Sequence, residues 1–336
     1  MKLRTKEAQE YWQTFLVSVH KKYGIKDLGE PKWCLGLNIK ITNDLIQVTQ
    51  ATMLQKSLEK LQLQDKNEYP PVHYPQKEKS KKDAENEESS SEELQEEKVP
   101  EDEHDYFRRL IGTLIYFSIM TRPDIAFAVN YLARRVANPT KTYIREAERV
   151  FQYLRATPNI GLTFRRNKTG QQPKLQVSAY ADASFADDLS DRKSTYGYAV
   201  YLNNHLVHWT SRKQSIVALS TTQAEYIAMS EVAREVLWLN QLIQQLKFKI
   251  ASPPIIYGDN IITINEINKK QTSEKAGKHI SIRYHHIKDE VLQKTMRICW
   301  IESEKNIADL FTKRFGRQRF EQLRQLCFRD HGMPGD

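Results

Sequence analysis

The stretch Lys174–Gln214, KLQVSAYADASFADDLSDRKSTYGYAVYLNNHLVHWTSRKQ, decides the fold. Its first twelve residues alternate as a strand does. TYGYAVYL and HLVHWTSRK alternate in the same way on either side of Asn203-Asn204, a pair suited to a tight hairpin turn. Two sets of acids sit within it: Asp182 at the end of the first strand, and Asp187-Asp188 in the polar run DDLSDRKS. The polar run reads as a solvated turn, which leaves Asp182 as the candidate for chemistry.

Downstream, TTQAEYIAMSEVAREVLWLNQLIQQL has the spacing of a long helix, PIIYGDN and RICWIES read as strands, and a helix is expected from near Asn306. A hairpin followed by strand–helix alternation predicts an α/β fold, a mixed sheet with helices packed on it. Upstream, residues 7–22 are spaced as an amphipathic helix with Tyr11, Phe15, Leu16 and Val19 on one face. Trp33–Ile41 and Leu45–Thr49 read as strands, and Thr52–Leu63 as a helix. From Tyr106 to Leu154 apolar residues recur at helical spacing, broken at Pro123 and Pro139.

The chain has 336 residues, room for two domains of ordinary size. Lys plus Arg number 51 against 42 Asp plus Glu. Twelve of the acids, with one Lys, fall between Asp83 and Asp105, so the remainder carries 50 basic and 30 acidic side chains, about +20. That charge suits a phosphate backbone, although a basic protein without a nucleic-acid role shares it. The acidic stretch is too poor in apolar residues to build a core and is expected to be a disordered linker. Three dispersed cysteines, Cys34, Cys299 and Cys327, argue against a disulfide framework and against zinc. No apolar run approaches the roughly 18 residues of a membrane span, and the N-terminus lacks a signal-peptide core. An intracellular soluble protein with no membrane partner is expected.

Four acids occupy strand ends or helix starts that such a sheet brings to one edge: Asp182, Glu225, Asp259 and Asp309. Four convergent carboxylates repel unless cations neutralise them, and hard oxygen donors suit Mg²⁺ or Mn²⁺. Two such ions about 3.5–4 Å apart serve in-line attack of water on a phosphodiester. Each acid also has an ordinary reading. Thr222-Gln223-Ala224-Glu225 spells a capping box, Asp259-Asn260 suits a helix cap, and Asp309 suits a helix N-terminus.

The text around these acids is more specific. YADASFADDLSDRKSTYGYAVYLNNHLVHWTSRKQSIVALSTTQAEYIAMSEVAREVLWL, then IIYGDN, KHISIRYHHIKDEV and ESEKNIADLFTK, resembles the ribonuclease H domain of copia-type LTR retrotransposons over about residues 175–315. The resemblance implies a ribonuclease H-like mixed five-stranded sheet with flanking helices. Asp182, Glu225, Asp259 and Asp309 then become catalytic and metal-binding acids for two Mg²⁺ ions, with Mn²⁺ as substitute. It also implies a smaller α+β region in front. YGIKDLGEPKWCLGLNIKI resembles the segment after the polymerase acids of these reverse transcriptases, and residues 106–164 resemble thumb and connection. The expected layout is a partial reverse transcriptase at 1–75, the acidic linker at 76–105, thumb and connection helices at 106–170, ribonuclease H at 171–318, and a C-terminal tail at 319–336. The polymerase's own acids are expected upstream of Met1, and the aromatic-x-Asp-Asp text at Phe185–Asp188 is read as coincidence. The family's histidine before the last acid has no counterpart in WIESEKNIAD.

The implied substrate is an RNA–DNA hybrid, with other parts of the Pol protein as further partners and a virus-like particle or the nucleus as location. Candidate nucleic-acid contacts are Ser184, Thr222 and Asn260 for 2′-hydroxyls, and Arg192, Lys193, Arg212, Lys213 and Lys278 for phosphates. The competing expectation is a binding remnant with no catalysis.

Overall fold

The computed structural model describes residues 6–26, 28–63, 75, 99–166, 174–269 and 278–328. The expected linker residues 76–98 and tail residues 329–336 lie outside them. Helix α1 (Lys6–Tyr23) is followed by a four-stranded antiparallel sheet of β1 (Trp33–Cys34), β2 (Leu37–Ile41), β3 (Leu45–Thr49) and β4 (Leu162–Arg165). The expected strand Trp33–Ile41 is interrupted. Leu35 and Gly36 adopt positive φ, 49° and 76°, and turn the chain back so that Cys34 pairs with Leu37. The face of α1 expected to be apolar is formed but exposed at Tyr11 and Phe15.

Helix α2 (Ala51–Lys60) precedes α3 (Glu101–Met120). The latter begins inside the span expected to be linker, because Glu101, Asp102 and Glu103 complement the N-terminal end of a helix dipole. A 3-10 turn (Pro123–Ile125) leads to α4 (Ala126–Ala133), and α5 (Lys141–Ala156) starts at Thr140, whose hydroxyl accepts from the Tyr143 amide.

The second sheet has five strands: β5 (Val177–Ser184), β6 (Thr195–Leu202), β7 (His205–Lys213), β8 (Ile255–Gly258) and β9 (Arg297–Trp300). Their order is β7-β6-β5-β8-β9, antiparallel from β5 to β7 and parallel from β5 to β9. Asn203 and Asn204, with φ of 48° and 65°, form the expected hairpin turn. The mixed five-stranded sheet expected from the sequence is therefore present.

Strands β5 and β6 are buried along nearly their whole length, so both faces of the sheet are covered. Helices α6 (Thr221–Gln245), α7 (Ile261–Asn268) and α8 (Lys278–Leu292) take one face, where Val232, Val236, Ile264 and Ile287 meet Ala179, Ala181 and Ile256. The other face shares a single core with the upstream helices. Leu110, Leu114 and Phe151 belong to the same cluster as Tyr180, Tyr201 and Tyr257, and as Phe320, Leu323 and Cys327 of helix α9 (Arg317–Phe328). Helices α3 to α5 therefore form a third layer of the sandwich. The expected tail, up to Phe328, is a helix that helps seal it.

Candidate active site

Asp182 is the sixth residue of β5 and is 1% exposed. Its antiparallel partner is Gly197, where an added Cβ would stand 2.4 Å from Phe311 Cβ. Glycine there lets the 3-10 turn Ile307–Phe311 lie against the sheet beside Asp182. Asn306 fixes the same turn from its start: its Oδ1 accepts from the Ala308 amide at 3.2 Å, and its Nδ2 donates to the Ala181 carbonyl at 3.1 Å. Asp309 was expected in the first turn of an α-helix; it lies in this 3-10 turn instead.

Helix α6 begins two residues earlier than the Thr222–Glu225 box suggested. Ser220 is the cap, its hydroxyl accepting from the Gln223 amide at 3.2 Å, while Gln223 Oε1 accepts from the Leu219 amide at 2.8 Å. Capping is complete without Glu225, which lies in the second turn, is 5% exposed, and keeps a buried Oε2 with no hydrogen-bond partner. Asp259 follows β8 directly and is half-buried. Carboxylate oxygens of Asp182, Glu225 and Asp259 all lie within 4.8 Å of one another.

Asp309 is not in that group. Its Oδ1 accepts from Lys313 Nζ at 2.5 Å, and Arg319 Nη2 lies 3.5 Å from its Oδ2. Lys313 also reaches Asp182 Oδ1 at 3.3 Å, and the Thr312 hydroxyl donates to Asp182 Oδ2. The fourth acid is thus joined to Asp182 through an ammonium. Burial pushes the Asp182 carboxyl up to about 6 against the opposing pull of Lys313, with Asp309 adding to the rise. Burial, then Asp182 and Asp259, pushes Glu225 well above the usual carboxylate range. Burial alone would lower Lys313, but Asp182 and Asp309 raise it above the usual lysine value.

The residues expected to contact nucleic acid separate into groups. Arg192 and Arg212 are exposed, and Ser184 is half-buried beside a cleft. Asn260 caps α7, accepting from the Thr263 amide at 3.0 Å, and the Thr222 carbonyl accepts from Thr263 Oγ1 at 3.3 Å. Lys193 pairs with Asp191 at 3.7 Å. Lys213, about a quarter exposed, is paired with Asp188 at 2.7 Å and Asp191 at 2.8 Å, two carboxylates with which a phosphate would have to compete. Lys278 begins α8, and its side chain lies outside the described residues.

The turn read as solvated is so only at Leu189, Ser190 and Arg192, and its two leading acids face inward. Asp188 is 3% exposed and faces Lys213, Arg134 at 3.5 Å and Arg135 at 3.9 Å. Asp187 accepts from the Thr195 amide and hydroxyl at 2.5 and 2.7 Å. The pair is a buried weld between α4 and the sheet, reinforced by Arg134 donating to Thr195 Oγ1 at 2.8 Å. Thr312 and Lys313 were also missed as site residues, although both stand in the ADLFTK text that carries Asp309.

No family model matches the chain. Over 217 residues, 65% of its length, it is 34% identical to the retrovirus-related Pol polyprotein from transposon RE1 of Arabidopsis thaliana. Over 309 residues, 91% of its length, it is 31% identical to that from transposon TNT 1-94 of Nicotiana tabacum. The chain spans 14% and 22% of these two relatives. Among solved structures, the N-terminal RNase H domain of Rv2228c from Mycobacterium tuberculosis superposes with a TM-score of 0.31 at 13% identity, over 45% of this chain and 98% of that one. Among the described residues no helix is long and apolar enough to cross a membrane. Sequence identity sustained over nine-tenths of its length shows that the chain belongs to the retrovirus-related Pol polyproteins of transposons.

Proposed function

We propose that residues 171–318 form a ribonuclease H site that hydrolyses the RNA strand of an RNA–DNA hybrid during reverse transcription. In this reading residues 1–75 derive from the distal palm and thumb start of the reverse transcriptase, and residues 106–170, which add β4 to the same sheet, from its thumb and connection. One observation carries the reading. Glu225 places a buried, unpartnered carboxylate oxygen beside two further acids, Asp182 on β5 and Asp259 just after β8. A buried polar atom without a partner costs about 1–3 kcal/mol, more when charged, so its presence calls for a cation.

The donor set fits a hard divalent ion, since all three groups are carboxylates close enough to share one. Asp182, Glu225 and Asp259 would hold Mg²⁺, or Mn²⁺ in its place, and Asp309 is the acid proposed for a second ion. Bound there, the ion neutralises the acids and lowers the pKa of water. The chain's own residues do the rest. Thr312 fixes the rotamer of Asp182, and Lys313 balances the charge of Asp182 and Asp309. Exposed Arg192 and Arg212 attract the duplex without reading its sequence. In the reaction a water oxygen bonds to phosphorus as the P–O3′ bond breaks, leaving a 5′-phosphate and a 3′-hydroxyl.

The test uses labelled RNA–DNA hybrid, double-stranded DNA and double-stranded RNA, each with Mg²⁺, Mn²⁺ or EDTA. Metal-dependent cutting of the hybrid's RNA strand alone, lost in Asp182→Asn and Glu225→Gln, is expected. Binding of the hybrid without cutting in either metal overturns the reading in favour of a nucleic-acid-binding remnant.

A further inference from the structure

Beside the acids lies a cleft of about 380 Å³ that the hydrolytic chemistry does not use. Its walls are Phe127 and Tyr131 of α4, Ser184 at the end of β5, and Thr312, Lys313 and Arg314. Thr312 and Lys313 also touch Asp182, so the cleft and the acid cluster share a wall.

Arg314 is held unusually well for a surface-cleft arginine. Its guanidinium lies 4.0 Å from the Tyr131 ring centroid, Nη1 is 3.5 Å from Glu146 Oε1, and Nη2 is buried with no hydrogen-bond partner. Stacking and the ion pair together fix the plane of the group, and Nη2 is the donor left without a partner for an oxyanion. Asp187 also lines the cleft, but Thr195 and Arg134 already engage its oxygens, so it adds little repulsion. Tyr131 already carries two guanidinium groups, those of Arg314 and Arg135. What it offers a ligand is therefore cationic rather than a bare aromatic face for a base. Cations, hydroxyls and an apolar edge at Phe127 together match a sugar-phosphate backbone.

We propose that this cleft binds one phosphate–ribose unit of the cut strand, next to the scissile phosphate, with Arg314 on the phosphate and Ser184 on the ribose. The assignment rests on the ribonuclease H reading of the acids. It makes α4, from the connection-like helices, one wall of the substrate path.

The experiment keeps the full chain in EDTA and measures hybrid affinity by fluorescence anisotropy. Neutral methylphosphonate linkages are placed one at a time along the strand to be cut, each compared with an ordinary 2′-deoxy linkage at the same position. The cut position is mapped separately with Mg²⁺ on unmodified hybrid. One linkage beside the cut is expected to weaken wild-type binding by about ten- to 150-fold, the range for a charge-assisted hydrogen bond. In Arg314→Met that same linkage is expected to cost less than about three-fold, because the contact is already gone. Arg314→Lys, which keeps charge and loses the fork, is expected to fall between them, and it carries the comparison if Arg314→Met does not fold.

A wild type in which no linkage near the cut stands out overturns the subsite, and so does an Arg314→Met that weakens every hybrid equally. If the hybrid is cut but no linkage stands out, the subsite falls and the ribonuclease reading survives. If one linkage couples to Arg314 but neither Mg²⁺ nor Mn²⁺ brings cutting, the phosphate contact survives and the ribonuclease reading falls.

Discussion

Gly197→Ala asks how tightly the acids depend on the packing behind them. The added Cβ would lie 2.4 Å from Phe311 Cβ and 3.1 Å from the Phe311 carbonyl carbon, where ordinary contact begins near 3.4 Å. The obstacle is backbone and the first carbon of a buried ring, so a rotamer change cannot relieve it. The 307–311 turn must therefore retreat by about 1 Å. Overpacking of this kind costs about 1–3 kcal/mol. Alanine returns roughly 0.5–1 kcal/mol of backbone entropy relative to glycine. A net loss of at most about 2.5 kcal/mol corresponds to a Tm lower by up to roughly 10 °C in a domain of 150–250 residues. The retreating turn carries Asp309 and leads into Thr312 and Lys313, and a misplacement of about 1 Å can cost on the order of 100-fold in rate. Activity is thus expected to fall far more than stability. Calorimetry and cleavage of labelled hybrid, run on the same preparation, give both quantities. A folded Gly197→Ala that cuts within about two-fold of wild type refutes the argument that this close approach positions the site.

Arg122→Met should leave Asp124 charged and buried, because the two share a bidentate pair at 2.8–2.9 Å. A loss of about 3–5 kcal/mol is expected, read from the urea midpoint; a loss under about 1 kcal/mol contradicts a buried charge pair. Burial would raise the Asp188 carboxyl, but hydrogen bonds from Lys213 and Ser190 hold it below the usual range. A depressed carboxylate stabilises the fold above its unfolded value of about 3.9 and loses that contribution as pH falls through the folded value. The stability difference between wild type and Asp188→Asn should therefore be constant from about pH 7 to 5 and shrink below about pH 4; a gap that widens on acidification contradicts this sign. Glu225→Gln removes one of three crowded like charges, so its Tm in EDTA should rise. The same change should abolish most of the upward shift that Mg²⁺ gives the wild type, and an intact shift would exclude Glu225 as a ligand.

Most strands were legible because alternation, tight-turn residues and short spacing are local signals. Leu35-Gly36 shows the limit: a left-handed turn at a leucine has no compositional mark, and it split one expected strand into two. The start of α6 was ambiguous for a related reason. Ser220 and Thr222 each stand three residues before a residue able to complete a capping box, and only the folded backbone selects Ser220. Asp187-Asp188 was misread because its partners Arg134 and Arg135 lie about fifty residues away, so a polar run looked solvated. The pairing of Lys213, expected as a phosphate contact, was hidden for the same reason, its carboxylates being invisible to local pattern. Three of the four acids do converge as their positions at strand and helix ends implied. The ammonium between Asp182 and Asp309 is a matter of tertiary placement.

The shared core behind the sheet sets an order in time as well as in space. Helices α3 to α5 leave the ribosome before any strand of the sheet they cover. Their buried faces, at Leu110, Leu114 and Phe151, must wait for Tyr180 and Tyr201. The wait ends only with α9, whose Cys327 carbonyl accepts from the Tyr201 hydroxyl 126 residues earlier at 3.1 Å, while Arg324 donates to Tyr153 at 3.0 Å. Contacts that close loops of this length are formed late, because chain entropy opposes them until both ends exist. A nascent chain stalled just before Arg317 would hold every proposed catalytic acid and still lack the helix that completes the layer behind them. Acquisition of the fold is therefore gated by α9, the last of the described elements to leave the ribosome.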